Sequence, residues 1–408
     1  MTVHDSSAPM LDIPAARRLA CDLIKPLTAT ETLALARSLG RIAAETVTSG
    51  RALPMRERSA MDGFALRLAD LSPALSLPVA GTIAAGALAG ALPTGAALRI
   101  FTGALVPAGA DCVVPVEDCT EEGETIRLSA RPKPGQHIRK VGSEQPLGGV
   151  LLRQGTRIAP QHIGLLAANG IARVRVLRMP RIALFSSGDE LGGKGPAAIP
   201  DSNRPMLMAL ALAAGAEVDD LGILPDDLPA ITARLKALAG RADIILTSGA
   251  VSMGGRDHLR PALEAAGGQI AGWRVALKPG KPVMFGTLGA SVVTGLPGNP
   301  FSAFTGFHLF VAAQLATLTD QPLAPLFAHP ARAGFDWARK PGRAEVFPIR
   351  LSHGEIDGVP IVQRMGEGSS ATLFPLAEAD GLGFVPAETT KVSFGAALRF
   401  MPLGQRVF

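Results

Sequence analysis

From residue 180 onward, short apolar runs alternate with segments whose apolar positions recur at helical spacing. "RIALFSSG", "VDDLGIL" and "ADIILTSGA" read as strands. "SNRPMLMALALAAGAE", "LPAITARLKALAGR" and "HLRPALEAAGG" read as the helices between them. "WRVAL", "PVMFG" and "SVVTGL" follow as strands, and "NPFSAFTGFHLFVAAQLATL" closes the series as a helix. This alternation predicts a mostly parallel sheet covered by helices.

The flanking regions have other rhythms. Residues 12–44 read as helical, with "DIPAARRLACDLI" and "TATETLALARSLGRIAAETV" carrying helical spacing and a Thr/Glu capping pattern. Residues 50–140 break into short apolar runs between Gly and Pro, as a small β domain does. Residues 141–178 return to helix, with "APQHIGLLAANG" ending at a glycine cap. After residue 323, short β-like runs predict a small barrel or sandwich. The expected fold is α/β multidomain. Its parts are a discontinuous helical domain (1–48 and 141–178), an inserted β domain (49–140), a parallel-sheet domain (179–323) and a C-terminal β domain (324–408).

Composition narrows the class. The chain has 408 residues, 47% hydrophobic and 18% charged, enough for several packed cores. It has no Tyr, so Leu, Val, Ile and Ala carry the packing. A net charge of +5 without a basic, aromatic-interleaved patch argues against nucleic acid as partner. Three cysteines without CxxC spacing point to free thiols in a reducing compartment. No secretory leader pattern stands at the N-terminus and no unbroken apolar run reaches a membrane span. The expectation is a cytoplasmic protein with small-molecule substrates.

Candidate chemistry gathers where ligands bind in open α/β sheets, beyond the carboxyl ends of the strands. There the sequence sets Asp189 and Glu190, then Asp226, then Ser248, Gly249, Ser252, Gly254 and Asp257 in "TSGAVSMGGRD". Lys278 and Lys281 follow in "KPGKP", and Pro297, Gly298, Asn299 and Pro300 in "PGNP". Gly and Pro fix turns that bring backbone close to a ligand, and two lysines supply charge for an anion. The Ser/Gly loop is suited to seat a phosphate on backbone N–H groups, although it is neither a Walker loop nor GxGxxG. Glu190, Asp226 and Asp257 are candidate Mg²⁺ ligands; each alone is equally a helix cap. In the β insertion, "SAMDGFA" places Asp62 in a turn, and "FTGALVPAGADCVVPVED" sets Thr102 at another.

Together these segments resemble the MoeA-like molybdopterin molybdenumtransferase family and the E domain of gephyrin. "SAMDGFA", "TGALVPAGADCVVPVE", "SSGDEL", "DSNRPML", "TSGAVSMGGRD", "KPGKPVMFG" and "GLPGNPFSA" follow one another in the family's order over nearly the whole chain. The resemblance implies a homodimer whose cleft combines the α/β domain of one subunit with the inserted and C-terminal domains of the other. It implies a reaction of adenylylated molybdopterin with molybdate and Mg²⁺ that releases AMP. By the same resemblance Asp62, Thr102, Glu144, Asp189, Lys278 and Lys281 are catalytic. Residues 248–254, Arg274, the Pro297–Pro300 turn and Ser369 hold substrate. Several positions depart from the family pattern. Glu144 in "RKVGSEQ" stands where Asp is usual, Arg274 where Lys is frequent and Ala250 where Gly is, and the family's barrel arginine is matched to Arg350 in "GRAEVFPIR". Alternatives are a CinA-like nucleotide-anhydride hydrolase, which needs no inserted domain, and a non-catalytic paralogue that binds molybdopterin or molybdate or serves as a dimeric scaffold. The acids and lysines together favour catalysis.

Overall fold

The computed structural model describes residues 10–84, 86–88, 90–192, 198–249, 258–366, 369, 371 and 373–404. Residues 32–39 and 43–175 form one compact unit. The chain up to residue 31, residues 40–42 and everything from 176 form the other.

The first unit is built around a six-stranded sheet: β1 (Gly63–Leu66), β2 (Ser76–Ile83), β3 (Ala97–Ile100), β4 (Cys112–Pro115), β5 (Cys119–Glu122) and β6 (Thr125–Leu128), in the order β4-β1-β3-β2-β6-β5. β1 is buried at all four residues and pairs antiparallel on both sides. Gly63 is required there for space: a Cβ would stand 1.9 Å from the Val114 carbonyl oxygen. Phe64, Leu66, Leu77, Val114 and Ile126 form the core. Two thiols belong to this sheet. Burial, then the neighbouring Asp111, pushes Cys112 up to about 12. Burial, then Asp118 and further acids, pushes Cys119 up to about 11. Elsewhere in this unit, buried Ser49, Gln145 and Asn169 close a polar network, with Gln145 Nε2 donating to Ser49 Oγ (2.6 Å) and Asn169 Oδ1 (2.8 Å).

Less of this region is helical than its pattern predicts. Ile13–Asp22 and Pro160–Ala168 are helices, but Thr30–Ala34 is a strand followed by one 3₁₀ turn, Leu35–Arg37. The apolar residues after Thr30 serve a single turn with only Leu35 buried, and Gly40 at φ +76° ends the run. β-Branched Thr30 and Thr32 suit the extended backbone.

The second unit carries the sheet read from the alternation: β7 (Arg181–Ser187), β8 (Glu217–Leu224), β9 (Ile244–Gly249), β10 (Gln269–Trp273), the short β11 (Leu277–Lys278), β12 (Met284–Leu288) and β13 (Ser291–Leu296). The order β8-β7-β9-β13-β12-β10 is parallel across its first four strands and antiparallel across the last two pairs. One face packs on Leu207, Phe307 and Phe310, the other on Ile231, Leu235, Leu259 and Leu263. Residues Pro300–Leu318 form a continuous helix with a π turn at Phe307–Val311. Among the described residues it is the helix long and apolar enough to cross a membrane, but 72% of it is buried within the protein, as a core helix is.

The C-terminal strands β14 (His329–Ala333), β15 (Ala344–Ile356), β16 (Val359–Arg364), β17 (Gly381–Val385) and β18 (Ala397–Pro402) close into a barrel, because β17 pairs with both β18 and β15. β11 adds to this barrel as a parallel edge, Leu277 opposite Ala344 and Lys278 opposite Glu345. The fold is therefore α/β multidomain, with a mixed rather than wholly parallel sheet and a closed C-terminal barrel.

Phe310 is fully buried and meets Phe285 edge-to-face at 5.3 Å. Phe310→Ala is expected to cost about 3–5 kcal/mol, measured as a lowered denaturant midpoint against wild type.

Candidate functional site

The parallel ladder sets where the site lies. Ser186 stands opposite Ser248, Ser187 opposite Gly249, and Ser248 opposite Leu296, so β7, β9 and β13 release their loops at one level. Two of those loops then pass almost in contact. A Cβ on Gly298 would lie 3.7 Å from the Gly249 Cα. Gly249 itself has φ +93° and no room for a side chain, since a Cβ would fall 1.8 Å from the Ser187 carbonyl oxygen. Glycine there meets both a left-handed backbone and a close approach.

Asn203 joins the loops. It opens the helix Asn203–Ala213, and its Nδ2 donates to Ser248 Oγ (2.7 Å) and to the Gly298 carbonyl (2.7 Å). Its Oδ1 is buried with no partner among the described residues. Around it lies a cavity of about 600 Å³ lined by Ser187, Glu190, Asp201, Asn203, Ser248, Gly249 and the Pro297–Pro300 turn. The cavity offers hydroxyls, carboxylates and backbone at close range. Asp201 is committed to Arg204, which also pairs with Asp220.

A second cavity of about 670 Å³ shares Pro282, Pro297 and Asn299 with the first. Its lining carries Lys278, Lys281 and Arg343, together with the backbone of Pro279, Gly280 and Gly342. Gly280 makes its turn at φ +111°. Asn299 caps the helix Pro300–Leu318, whose positive N-terminal end faces the same space and favours negative charge. Three cationic side chains, a helix end and rigid Pro-Gly turns make this an anion pocket. Lys278 Nζ also lies 2.9 Å from Glu345 Oε1, a carboxylate only 4% exposed.

In the other unit, Asp62 and Thr102 come together. The Thr102 N–H and Oγ1–H both donate to Asp62 Oδ1, at 2.6 and 2.7 Å. These bonds, the backbone one first, hold the Asp62 carboxyl below its usual value although it is fully exposed. Arg58 donates to the Gly103 carbonyl beside Thr102 (2.5 Å) and stands in register with Arg139, which pairs with Glu144 at 3.0 Å.

The remaining sequence-predicted residues divide. Asp189 Oδ1 accepts from the Asp226 N–H (3.3 Å), and Ser187 Oγ donates to Asp226 Oδ1 (3.4 Å). The linings of the two cavities include Glu190 but neither of these acids. Ser369 Oγ accepts from the N–H of Ala371, which lines the first cavity. Arg274 sits at φ +65° on the turn after β10 and lines neither. Ser252, Gly254 and Asp257 lie outside the described residues. Among the described residues no three His, Cys, Asp or Glu side chains converge as a metal site. Arg350 pairs with Glu378 at 2.9 Å, and the arginine of the anion pocket is Arg343. Both arginines lie in "GRAEVFPIR"; the Gly342 turn before the strand is the signal that favours the earlier one. Asn203 was present in "DSNRPML" with nothing to mark its amide. Glu345 is one acid in an alternating strand, and its burial is a property of the barrel alone.

The chain matches the MoeA N-terminal region (domain I and II) over residues 11–170, a probable molybdopterin binding domain over 183–317, and the MoeA C-terminal region (domain IV) over 330–403. Molybdopterin molybdenumtransferase of Haemophilus influenzae is 40% identical over 318 residues, 76% of this chain and 78% of that protein. The protein of that name from a Nostoc species is 34% identical over 382 residues, 90% and 87% of the two chains. A crystal structure of the molybdopterin biosynthesis moeA protein from Pyrococcus horikoshii OT3 superposes with TM-score 0.81 at 26% identity, covering 97% of this chain and 100% of that one.

Gly249→Ala is expected to destabilise its unit by about 2–4 kcal/mol through strain and overpacking, seen in denaturant unfolding. For Asp62 the sign follows from its depressed pKa: the stabilisation by Thr102 is present at neutral pH and lost as pH falls through the folded-state value. An NMR titration should place Asp62 below ordinary aspartates. Thr102→Val should raise it only part of the way, because the backbone bond remains.

Proposed function

The chain belongs to the MoeA family of molybdopterin molybdenumtransferases, and from that premise we propose that it inserts molybdenum into molybdopterin, taking the adenylylated form and molybdate and releasing AMP. The observation that carries this reading is the pair of adjoining cavities, one ringed by Lys278, Lys281 and Arg343, the other by hydroxyls, an amide and close-packed backbone. A tetrahedral oxyanion and a phosphate-bearing heterocycle need those two environments side by side.

Each group has a task its chemistry suits. Lys278, Lys281 and Arg343 receive molybdate and offset charge on the phosphoanhydride as it breaks. Ser248, the Gly249 and Gly298 backbone and Asn299 seat the phosphate and pterin end, and Asn203 Oδ1, which has no partner among the described residues, accepts from a ligand N–H. The Pro-Gly turns hold these groups in place before the substrate arrives, so little ordering is left to binding. Mg²⁺ is held in general by one or two carboxylates together with phosphate oxygens, and Glu190 in the cavity lining is a carboxylate of that kind. Glu190 and Asp226, with Asp257, would hold it, and it would supply Lewis-acid polarisation of the phosphoanhydride. Asp62, kept ionised and aimed by Thr102, acts in the cleft of a second copy of the chain. Glu144, Asp189, Arg274 and Ser369 retain supporting roles in this proposal, as do the homodimer, the four-domain division and a cytoplasmic location.

The test is AMP release from adenylylated molybdopterin with molybdate and Mg²⁺. AMP should appear only with molybdate, and Asp62→Asn should abolish it. Lys281→Ala should raise the molybdate concentration required by about 10–100-fold, the worth of a charged hydrogen bond. Tight substrate binding with no AMP under any condition would show a binding or scaffold protein instead.

A further inference from the structure

Glu345 is an unusual carboxylate. It lies on barrel strand β15, 3% exposed, among Val346, Phe347 and Ala344. Its Oε1 meets Lys278 Nζ at 2.9 Å and its Oε2 meets Arg339 Nε at 3.4 Å. Arg339 is itself 2% exposed and committed elsewhere, donating to the carbonyls of Pro386, Thr389 and Arg343. Thus one buried acid faces two cations: one is locked into the barrel, the other reaches the anion pocket with its side chain 46% exposed. The backbone repeats the connection, since Lys278 and Glu345 are ladder partners between β11 and β15.

Arg339 gives this buried carboxylate a second counter-charge, so Lys278 is not its only partner. The carboxylate's effect falls on Lys278. A free lysine side chain samples many rotamers, and an anion that captures it must freeze them. Glu345 does this beforehand and leaves two of the three ammonium donors for a ligand. Arg339 offsets part of the negative field that Glu345 would otherwise set against an incoming anion. The lysine gains a fixed place with a reduced electrostatic penalty.

We propose that Glu345 is a positioning residue, which fixes the Lys278 ammonium at the anion pocket so that affinity for a tetrahedral oxyanion depends on Glu345 through Lys278. This rests on the reading that the pocket receives molybdate. The experiment is equilibrium binding of molybdate to the full chain as wild type, Glu345→Gln, Lys278→Met and the double variant, with thermal melting to check folding. Glu345→Gln is expected to weaken binding roughly tenfold, about the rotamer freedom returned to one lysine. In the Lys278→Met background the same change should do nothing. An equal loss in both backgrounds would make Glu345 merely structural and overturn the proposal. Should Glu345→Gln fail to fold, Glu345→Asp keeps a buried charge while shortening its reach toward Lys278, and the same cycle applies. Trace acetylation supplies a readout that needs no ligand: Lys278 should become several-fold more reactive relative to Lys281 when Glu345 is changed, and unchanged reactivity sinks the tether. Wild-type protein that binds no molybdate, with Lys278 still protected by Glu345, would overturn the pocket's assignment and the affinity claim while leaving the tether itself in place.

Discussion

The register of three parallel strands governs this protein. Because β7, β9 and β13 are aligned so that Ser187, Gly249 and Leu296 end together, their loops emerge at one height. The hydroxyls and close-packed backbone of the first cavity are then placed by short turns from that edge. A slip of one residue would send each strand's side chains to the opposite face and separate Gly249 from Gly298. The apolar faces on both sides of the sheet forbid the slip, since Leu184, Ile244 and Leu246 pack one core while Phe185 and Ile245 pack the other.

The barrel enters the site by a different route. It contributes little surface to the anion pocket, chiefly the turn Pro341-Gly342-Arg343. Its larger contribution is indirect, through the β11–β15 ladder and the buried carboxylate on the same register. The pocket is thus assembled from two kinds of element: a sheet edge that supplies backbone and hydroxyls, and a barrel that supplies and orients positive charge.

Most of this was legible where local pattern and tertiary role coincide. The βαβ alternation produced the sheet, and Gly and Pro at the strand ends marked the turns, because those residues answer to backbone geometry that sequence encodes directly. Asp62 and Thr102 were named separately and found bonded. The reading failed where tertiary context decides. Helical spacing over residues 28–47 became a short strand, one 3₁₀ turn at Leu35–Arg37 and irregular chain that buries Ile42 and Ala43. Arg350 was matched and Arg343 not named, since only the barrel shows which arginine of this segment lines the pocket. Glu345 carried no local mark at all: an acid in an alternating strand reads as solvent-facing until the partners on either side are known.

The two thiols of the inserted sheet have a consequence for how the protein coexists with its chemistry. Thiolates, not thiols, capture soft metals and react with oxidants. With Cys112 and Cys119 pushed up to about 12 and about 11, almost none of either is ionised at neutral pH. In a member of a family that transfers molybdenum, ionised thiols would otherwise be competing ligands for metal. With Cys112 buried, Cys119 half-buried and acids beside both, the fold makes that sheet a poor thief of metal.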